Sequence, residues 1–107
     1  MTNWNLIETH TQDGFTINTY VAPETDDPRD QFDDEVVEGI RNGSYVWFQV
    51  KVEATKCGIV LGGAYAGGCC YLSEMAFFGG DMWTDMCEDA LHDAKQILKD
   101  LTETNND

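Results

Sequence analysis

The sequence predicts an α+β fold in which an antiparallel β-sheet of three to five strands packs against one long C-terminal helix. Apolar and polar residues alternate at period two over residues 15–21 and 44–54, the pattern of half-buried strands. Over residues 81–101 apolar residues instead recur every three or four positions, the pattern of an amphipathic helix. The 107 residues correspond to a single domain, 1–107, whose last residues, 102–107, are predicted to fray.

The first predicted element is a β-hairpin. Residues 4–12 alternate loosely and residues 15–21 alternate strictly, and Asp13-Gly14 between them is a strong hairpin-turn signal. Pro23 is predicted to end the second strand, because proline has no backbone N–H to donate to a neighbouring strand.

An acidic loop and a short helix follow the hairpin. Residues 24–34 are polar and acidic, as expected of a surface loop. Asp33 or Asp34 is predicted to cap a helix over residues 35–41, whose acidic first turn suits the positive end of the helix dipole. An Asn-Gly pair directly after this helix predicts its end.

The clearest strand covers residues 44–54. Its apolar side is predicted to face the core and consists of Val46, Phe48, Val50, Val52 and Ala54. Residues 57–61 are predicted to return as a neighbouring strand, and residues 69–72 to form a short edge strand. Two glycine pairs between them, at 62–63 and 67–68, predict bends or bulges.

The last predicted element is an amphipathic helix of about five turns that follows Gly79-Gly80, with Asp81 as its predicted N-cap. The predicted apolar face consists of Trp83, Cys87, Ala90, Leu91, Ala94, Ile97, Leu98 and Leu101. Acidic residues lie toward the start of this helix and Lys95 and Lys99 toward its end, which agrees with the helix dipole.

Acidic residues dominate the surface chemistry of the chain. Twenty Asp and Glu face six Lys and Arg, which gives a formal net charge of −14. A field of this sign repels nucleic acid and anionic membranes, and it attracts basic protein surfaces. The predicted partner is therefore the basic surface of a host nucleic-acid-binding protein or complex, with no direct contact to nucleic acid or membrane.

Two groups of aspartates carry the predicted contacts. The loop cluster consists of Asp26, Asp27, Asp30, Asp33 and Asp34, and the helix row consists of Asp85, Asp89 and Asp93. Members of the helix row are four residues apart, so their carboxylates stand about 6 Å apart along the axis and imitate the repeated charge of a nucleic-acid backbone. The simpler interpretation is a solvated helix face that serves solubility.

Two aromatic side chains are candidates for an interface hot spot. Tyr45 and Trp47 alternate with the core positions of strand 44–54, so they face away from the core. A loop or helix covering that side would make them ordinary core residues, and the sequence leaves both interpretations open.

Catalysis and metal binding have less support in the sequence. The loop cluster offers oxygen ligands for calcium but lacks the Asp-x-Asp-x-Asp-Gly spacing of an EF-hand. No Cys-x-x-Cys motif is present, and nothing marks a cysteine as an activated nucleophile. The prediction is a protein that is not an enzyme and binds no metal or cofactor.

The location predicted from the sequence is the cytoplasm of a bacterial host cell. The first four residues lack the basic stretch and apolar run of a signal peptide. The longest uncharged run, residues 57–72, is too short and too rich in glycine to span a bilayer. The four cysteines are then expected to be reduced thiols.

Two segments resemble proteins of mobile elements. The stretch LGGAYAGGCCY at 61–71, followed by an acidic-led helix, and PRDQFDD at 28–34 are similar to small uncharacterised proteins encoded by bacteriophages and other mobile elements. The resemblance implies an accessory protein in a bacterial cytoplasm and carries no catalytic or binding residues. By analogy, accessory proteins of this size and charge include anti-restriction and anti-CRISPR inhibitors that mimic DNA.

Two functions are predicted as alternatives. In the first, a non-enzymatic inhibitor occupies the basic nucleic-acid channel of a host defence nuclease or CRISPR complex, with carboxylates where phosphates would lie. In the second, the chain is a protein-interaction or assembly module, such as a homodimer joined through its sheet edge or aromatic face, and its acidity serves solubility alone.

Overall fold

The computed structural model describes residues 3–104 and has the predicted α+β architecture. Four antiparallel strands lie in the order β1-β2-β3-β4: β1 Asn5–Gln12, β2 Phe15–Pro23, β3 Val46–Lys56 and β4 Ile59–Tyr71. Three α-helices lie among the described residues, α1 Asp34–Arg41, α2 Glu74–Phe78 and α3 Asp81–Thr104, and one 3₁₀ turn, Pro28–Asp30, lies within the acidic loop. None of the helices described between residues 3 and 104 combines the length and apolar content that crossing a lipid bilayer requires.

The sheet has two distinct ends and two distinct faces. Both hairpin turns lie at one end, the turn end, and the connection from β2 to β3 lies at the other, the loop end. α3 packs on the core face of the sheet. The acidic loop and α1 lie against the opposite face, the outer face, as the contacts of Tyr45 and Trp47 described below establish.

Both hairpin turns are two-residue turns of type I′. Asp13 and Gly14 have φ angles of 53° and 86°, which confirms the predicted turn. β2 ends at Pro23, as predicted. The second turn has φ angles of 55° at Cys57 and 77° at Gly58. A cysteine in the left-handed region is uncommon, so Cys57-Gly58 is a weaker turn signal than Asp13-Gly14.

β4 is one continuous strand of 13 residues, so the prediction of separate strands at 57–61 and 69–72 was wrong. The two glycine pairs lie within the strand, at places where its pairing with β3 is irregular. The pairing register shifts around Gly67 and Gly68, and again next to Gly62. Gly68 has a φ of 66°, which a residue with a Cβ rarely adopts. The bulges therefore bend β4 without ending it.

The core lies between the sheet and α3. The apolar side chains that the strands bury in this core are Phe15, Ile17, Val21, Phe48, Val50, Val52, Ala54 and Cys69, and those that α3 buries there are Met86, Cys87, Ala90, Leu91 and Ala94. The predicted inward face of β3 is confirmed, with Val46 partly buried. The Nε1 of Trp83 donates to the buried Thr19 hydroxyl at 3.0 Å. This bond gives both the indole N–H and the hydroxyl a hydrogen-bond partner.

The C-terminal part of α3 departs from the prediction. Ile97 and Leu101 are 45% and 53% exposed, although both were predicted to face the core. The last turns of the helix lie beside the β3–β4 turn, where the sheet ends, so these side chains have little sheet beneath them. α3 continues to Thr104, so residues 102–104 are helical rather than frayed, while 105–107 lie outside the described residues.

α2 is a short helix that the sequence analysis missed. The Ser73 hydroxyl caps it by accepting from the backbone N of Ala76 at 3.2 Å. Its side chain Phe77 is fully buried, with ring centroids 5.9 Å from Phe48 and 5.5 Å from Tyr71. α2 thereby closes the core at the loop end of the sheet.

α3 approaches β4 so closely at Gly62 that no side chain fits there. A Cβ built on Gly62 would overlap the carbonyl oxygen of Ala90 and lie 2.6 Å from the backbone N of Ala94. Both obstructing atoms belong to helix backbone, which cannot move aside as a flexible side chain can. Small residues at positions 62, 90 and 94 therefore set the distance between helix and sheet.

We expect Gly62→Ala to lower the free energy of unfolding by roughly 1–3 kcal/mol, because the added methyl group must push α3 away from β4. Gly63→Ala is the matched control, since a Cβ there meets its nearest atom, the Val52 carbonyl oxygen, at 3.4 Å. Urea denaturation followed by circular dichroism measures both. Equal stability of the two variants would contradict the close approach.

Candidate partner-binding surface

Trp47 anchors the acidic loop to the outer face of the sheet. Its Nε1 donates to the backbone carbonyl oxygen of Asp26 at 3.0 Å. Its ring lies edge-on to Phe32, with centroids 5.6 Å apart. These two contacts fix the beginning and the end of the segment that carries most of the loop cluster.

Tyr45 plays the corresponding role for α1. Its backbone N donates to the carbonyl oxygen of Gly39 at 3.1 Å, and a Cβ on Gly39 would overlap the Tyr45 ring. Tyr45 and Trp47 are both half-buried by these contacts. The acidic segment therefore covers the side on which they lie, and their contact with a partner stays a prediction.

The side chains of the loop cluster are all exposed, but they have different local roles. Asp33 accepts from the backbone N of Val36 at 3.2 Å and is the N-cap of α1, which starts at Asp34, close to the predicted residue 35. No hydrogen bond from another described residue reaches the carboxylates of Asp26, Asp30 and Asp34. These three exposed carboxylates are the ones best able to meet a partner.

Asp27 is neutralised within the loop. It forms an ion pair with Arg29 at 2.6 Å and also accepts from the Arg29 backbone N at 2.9 Å. The hydrogen bonds from the guanidinium, then that from the backbone, lower the pKa of Asp27 to about 2. Of the five members of the cluster, Asp27 is therefore the least available to an external cation.

Replacement of Arg29 by Gln should return the pKa of Asp27 from about 2 toward 3.8. The folded-state pKa of Asp27 is depressed, so the stabilisation from this pair is present above pH 3.8 and is lost as the pH falls toward 2. Carboxyl chemical shifts measured by NMR across pH 1.5–5 follow the titration directly. An Asp27 pKa that does not change in the variant would show that Arg29 is not the cause of the low value.

The helix row lies on the opposite side of the sheet from the loop cluster. Asp85, Asp89 and Asp93 are exposed on α3, which covers the core face. Asp93 borders β4, since its Cβ is 3.0 Å from the position that a Cβ would occupy on Gly62. The two acidic groups therefore do not share one face, a point that the sequence could not decide.

One member of each acidic group nevertheless lies near β4, Asp93 on the core side and Asp26 on the outer side. On the outer side, the Glu24 carboxylate accepts from the backbone N of Gly68, and Gln31 lies against the same glycine. Desolvation first, and then the negative charges of Glu24 and Asp26, raise the pKa of Tyr65 in β4. Glu24 was not among the predicted site residues, and its contact across 44 positions leaves no local signal in the sequence.

Basic residues gather at the turn end, away from the loop cluster. They surround a cavity of about 460 Å³ that is lined by Asp13, Phe15, Lys56, Lys95, Leu98, Lys99 and Thr102. Lys95 forms an ion pair with Asp13 at 2.7 Å, and Lys56 Nζ lies 4.9 Å from the centre of the Phe15 ring. The negative field is therefore strongest toward the loop end.

Two of the four cysteines, Cys69 and Cys87, are buried and have the character of packing residues. All four are free, and burial first, with smaller effects of nearby carboxylates, raises the pKa of Cys69 and of Cys87 to about 11. At neutral pH both are thiols rather than nucleophilic thiolates. Over residues 3–104 no group of three or more His, Cys, Asp or Glu side chains is arranged to hold a metal ion.

In comparisons with known proteins, no protein-family model, no curated protein and no solved structure matches this chain. The candidate surface therefore depends on the charges and contacts of this chain alone.

Trp47→Phe should loosen the acidic loop while leaving the sheet intact. Phenylalanine keeps an aromatic ring beside Phe32 but loses the hydrogen bond to Asp26, which is worth about 1 kcal/mol and so raises the open population of the loop roughly fivefold. Cleavage of residues 24–34 by a glutamate-specific protease, located by mass spectrometry, measures this population. Trp4→Phe, on the same face, is the control and should cleave at the wild-type rate, because the Trp4 ring packs on Tyr65 of β4.

Proposed function

We propose that the protein is a non-enzymatic inhibitor that occupies a basic nucleic-acid-binding cleft and excludes nucleic acid from it. The observation that carries the proposal is the placement of acidic groups on both sides of β4. The resemblance to proteins of mobile elements adds the class of target, a defence nuclease or CRISPR complex in a bacterial cytoplasm.

The shape and charge of the chain support nucleic-acid mimicry. The molecule is elongated, with extents of 59 × 24 × 23 Å, and a net charge of −14 over 59 Å is one charge per 4 Å or so. A single nucleic-acid strand carries about one charge per 3.4 Å and a duplex about one per 1.7 Å. The charge density is thus close to that of one strand.

The two-sided distribution favours a cleft over a flat surface. A flat basic patch could contact the loop cluster or the helix row, but not both, because the sheet separates them. A channel that encloses its ligand contacts both sides at once, as it does the phosphates of a bound strand or duplex. The proposed target is therefore a channel or groove with basic residues on two walls.

The fold tolerates the repulsion that such a surface creates. Two exposed carboxylates about 6 Å apart repel each other by only about 0.7 kcal/mol in water. Placing the two groups on opposite sides of the sheet reduces the repulsion further. The same field accelerates encounter with a basic partner and makes binding sensitive to salt.

A second candidate function is an assembly module joined through a sheet edge. One observation favours it: β4 is an edge strand of 13 residues without a charged residue. In that case the acidic groups serve solubility, and their reversal leaves association unchanged.

Simultaneous replacement of Asp85, Asp89 and Asp93 by Lys should weaken retention of the target from bacterial lysate by roughly tenfold or more. The change puts positive charge where the basic wall of the cleft requires negative charge. Immobilised wild-type and variant proteins are compared by the salt concentration at which captured nucleic-acid-binding proteins elute.

The charge-conserving control replaces the same three residues by Glu and should retain the target at wild-type salt concentration. Circular dichroism verifies that α3 is intact in both variants. Unchanged retention by the lysine variant would refute the inhibitor proposal for the helix row and would favour the assembly module.

A further inference from the structure

β4 offers an unusually open strand edge. No strand described between residues 3 and 104 pairs with its outer side, and its sequence contains neither a charged residue nor a proline. Natural sheets usually protect such edges with charges, prolines, bulges or short length, and of these β4 has only its two bulges, one between Val60 and Gly62 and one at Gly67 and Gly68. The other edge strand, β1, has 8 residues, a bulge at Ile7 and the charged Glu8.

The open part of this edge is the stretch from Ile59 to Ala66. Toward the loop end, the Glu24 carboxylate already accepts from the backbone N of Gly68, so that part of the edge has a partner. Within the open stretch Ile59, Val60 and Tyr65 are 61%, 52% and 62% exposed. Backbone groups and apolar side chains are thus presented together to solvent.

We propose that the Ile59–Ala66 edge of β4 binds an extended, positively charged segment of a partner protein by β-strand addition. Backbone hydrogen bonds to the edge supply affinity that does not depend on charge, and the flanking carboxylates select a basic segment. That the segment is positively charged rests on the proposed function, whereas strand addition to this edge does not.

The charges beside the edge decide between a basic segment and a second copy of the chain. Asp93 borders the edge on the α3 side, Glu53 of β3 pairs with Gly63, and Glu24 and Asp26 lie near Tyr65 on the outer side. Two basic residues of β3 also pair with the stretch, Lys56 with Ile59 at the turn end and Lys51 with Tyr65, so acidic groups outnumber basic ones among these neighbours. Pairing of two β4 strands would bring the acidic α3 of one copy beside that of the other, each copy with a net charge of −14. A basic segment meets the same carboxylates with attraction.

The side chains around the open stretch favour alternation of basic and apolar residues in the segment. Gly63 faces the outer side, where a Cβ would meet only the Val52 carbonyl oxygen at 3.4 Å, so a large side chain of an added strand finds space beside it. An apolar cavity of about 270 Å³ lies where β4 begins and is lined by Lys56, Cys57, Ile59, Leu61, Leu98 and Leu101. It is suited to an aliphatic side chain of the added strand.

The test uses an acetylated octapeptide of alternating Lys and Val, added to the ¹⁵N-labelled full chain. The control peptide has the same composition with every Val in the D configuration, which keeps the charge but cannot extend a sheet of L-residues regularly. Hydrogen exchange of the backbone amides and binding isotherms are recorded by NMR for both peptides. Ultracentrifugation of the free protein reports whether a second copy is bound.

We expect the all-L peptide to bind about tenfold or more tightly than its control and to slow exchange of amides within 59–66. Equal binding of the two peptides, without protection at 59–66, would overturn the edge proposal and leave the charge-based inhibitor proposal standing. Failure of the all-L peptide to bind, or a free dimer with these amides already protected, would also overturn it. Target retention in the charge-reversal experiment remains an independent test of the inhibitor proposal.

Discussion

The close approach of α3 to β4 at Gly62 is the constraint on which the remaining architecture depends. Helix backbone lies directly on strand backbone there, because positions 62, 90 and 94 carry no more than a methyl group. This contact fixes the depth of the core and the rotation of α3 about its axis. The rotation in turn places Asp93 beside β4 and leaves the rest of the helix row in solvent. A packing requirement thereby determines where negative charge appears.

On the outer face, packing likewise determines where negative charge lies, but aromatic rings rather than a glycine make the contacts. Trp47 and Tyr45 hold a segment that has few apolar residues of its own, so the acidic loop is ordered by the sheet rather than by a separate core. Glu24 extends this arrangement to β4 through its contact with Gly68. The result is a thin body with carboxylates on both sides of one open edge, which suits a ligand for a basic cleft.

The sequence predicted the elements whose signals are local. The hairpin at Asp13-Gly14 and the cap at Asp33 each depend on a few neighbouring residues, and the structure confirms them. The N-cap of α3 was predicted one residue late, because Asp81 is already the first residue of the helix. α2 was missed because one short turn has too little periodicity to detect. The glycine pairs of β4 were interpreted as interruptions, since nothing local shows that the partner strand β3 continues past them.

The candidate surface was likewise predictable only where its features depend on local sequence. Exposure of the acidic side chains was predictable from their clustering and from the periodicity of α3. The separation of the two clusters by the sheet was not, because it depends on which face of β3 the acidic loop covers. Which face the loop covers depends on contacts from Trp47 to residues of the loop, such as its hydrogen bond to Asp26, 21 positions earlier in the chain. Likewise, the exposure of Ile97 and Leu101 depends on where the sheet ends beneath α3.

Competition with DNA for a captured target tests the central claim most directly. Fluorescence anisotropy of a labelled duplex bound to that target would be recorded while this protein is added at low and at moderate salt. The account predicts that the protein displaces the duplex completely and that its apparent affinity falls with salt, as the affinity of the duplex does. A ternary complex in which target, duplex and protein remain bound together would contradict it.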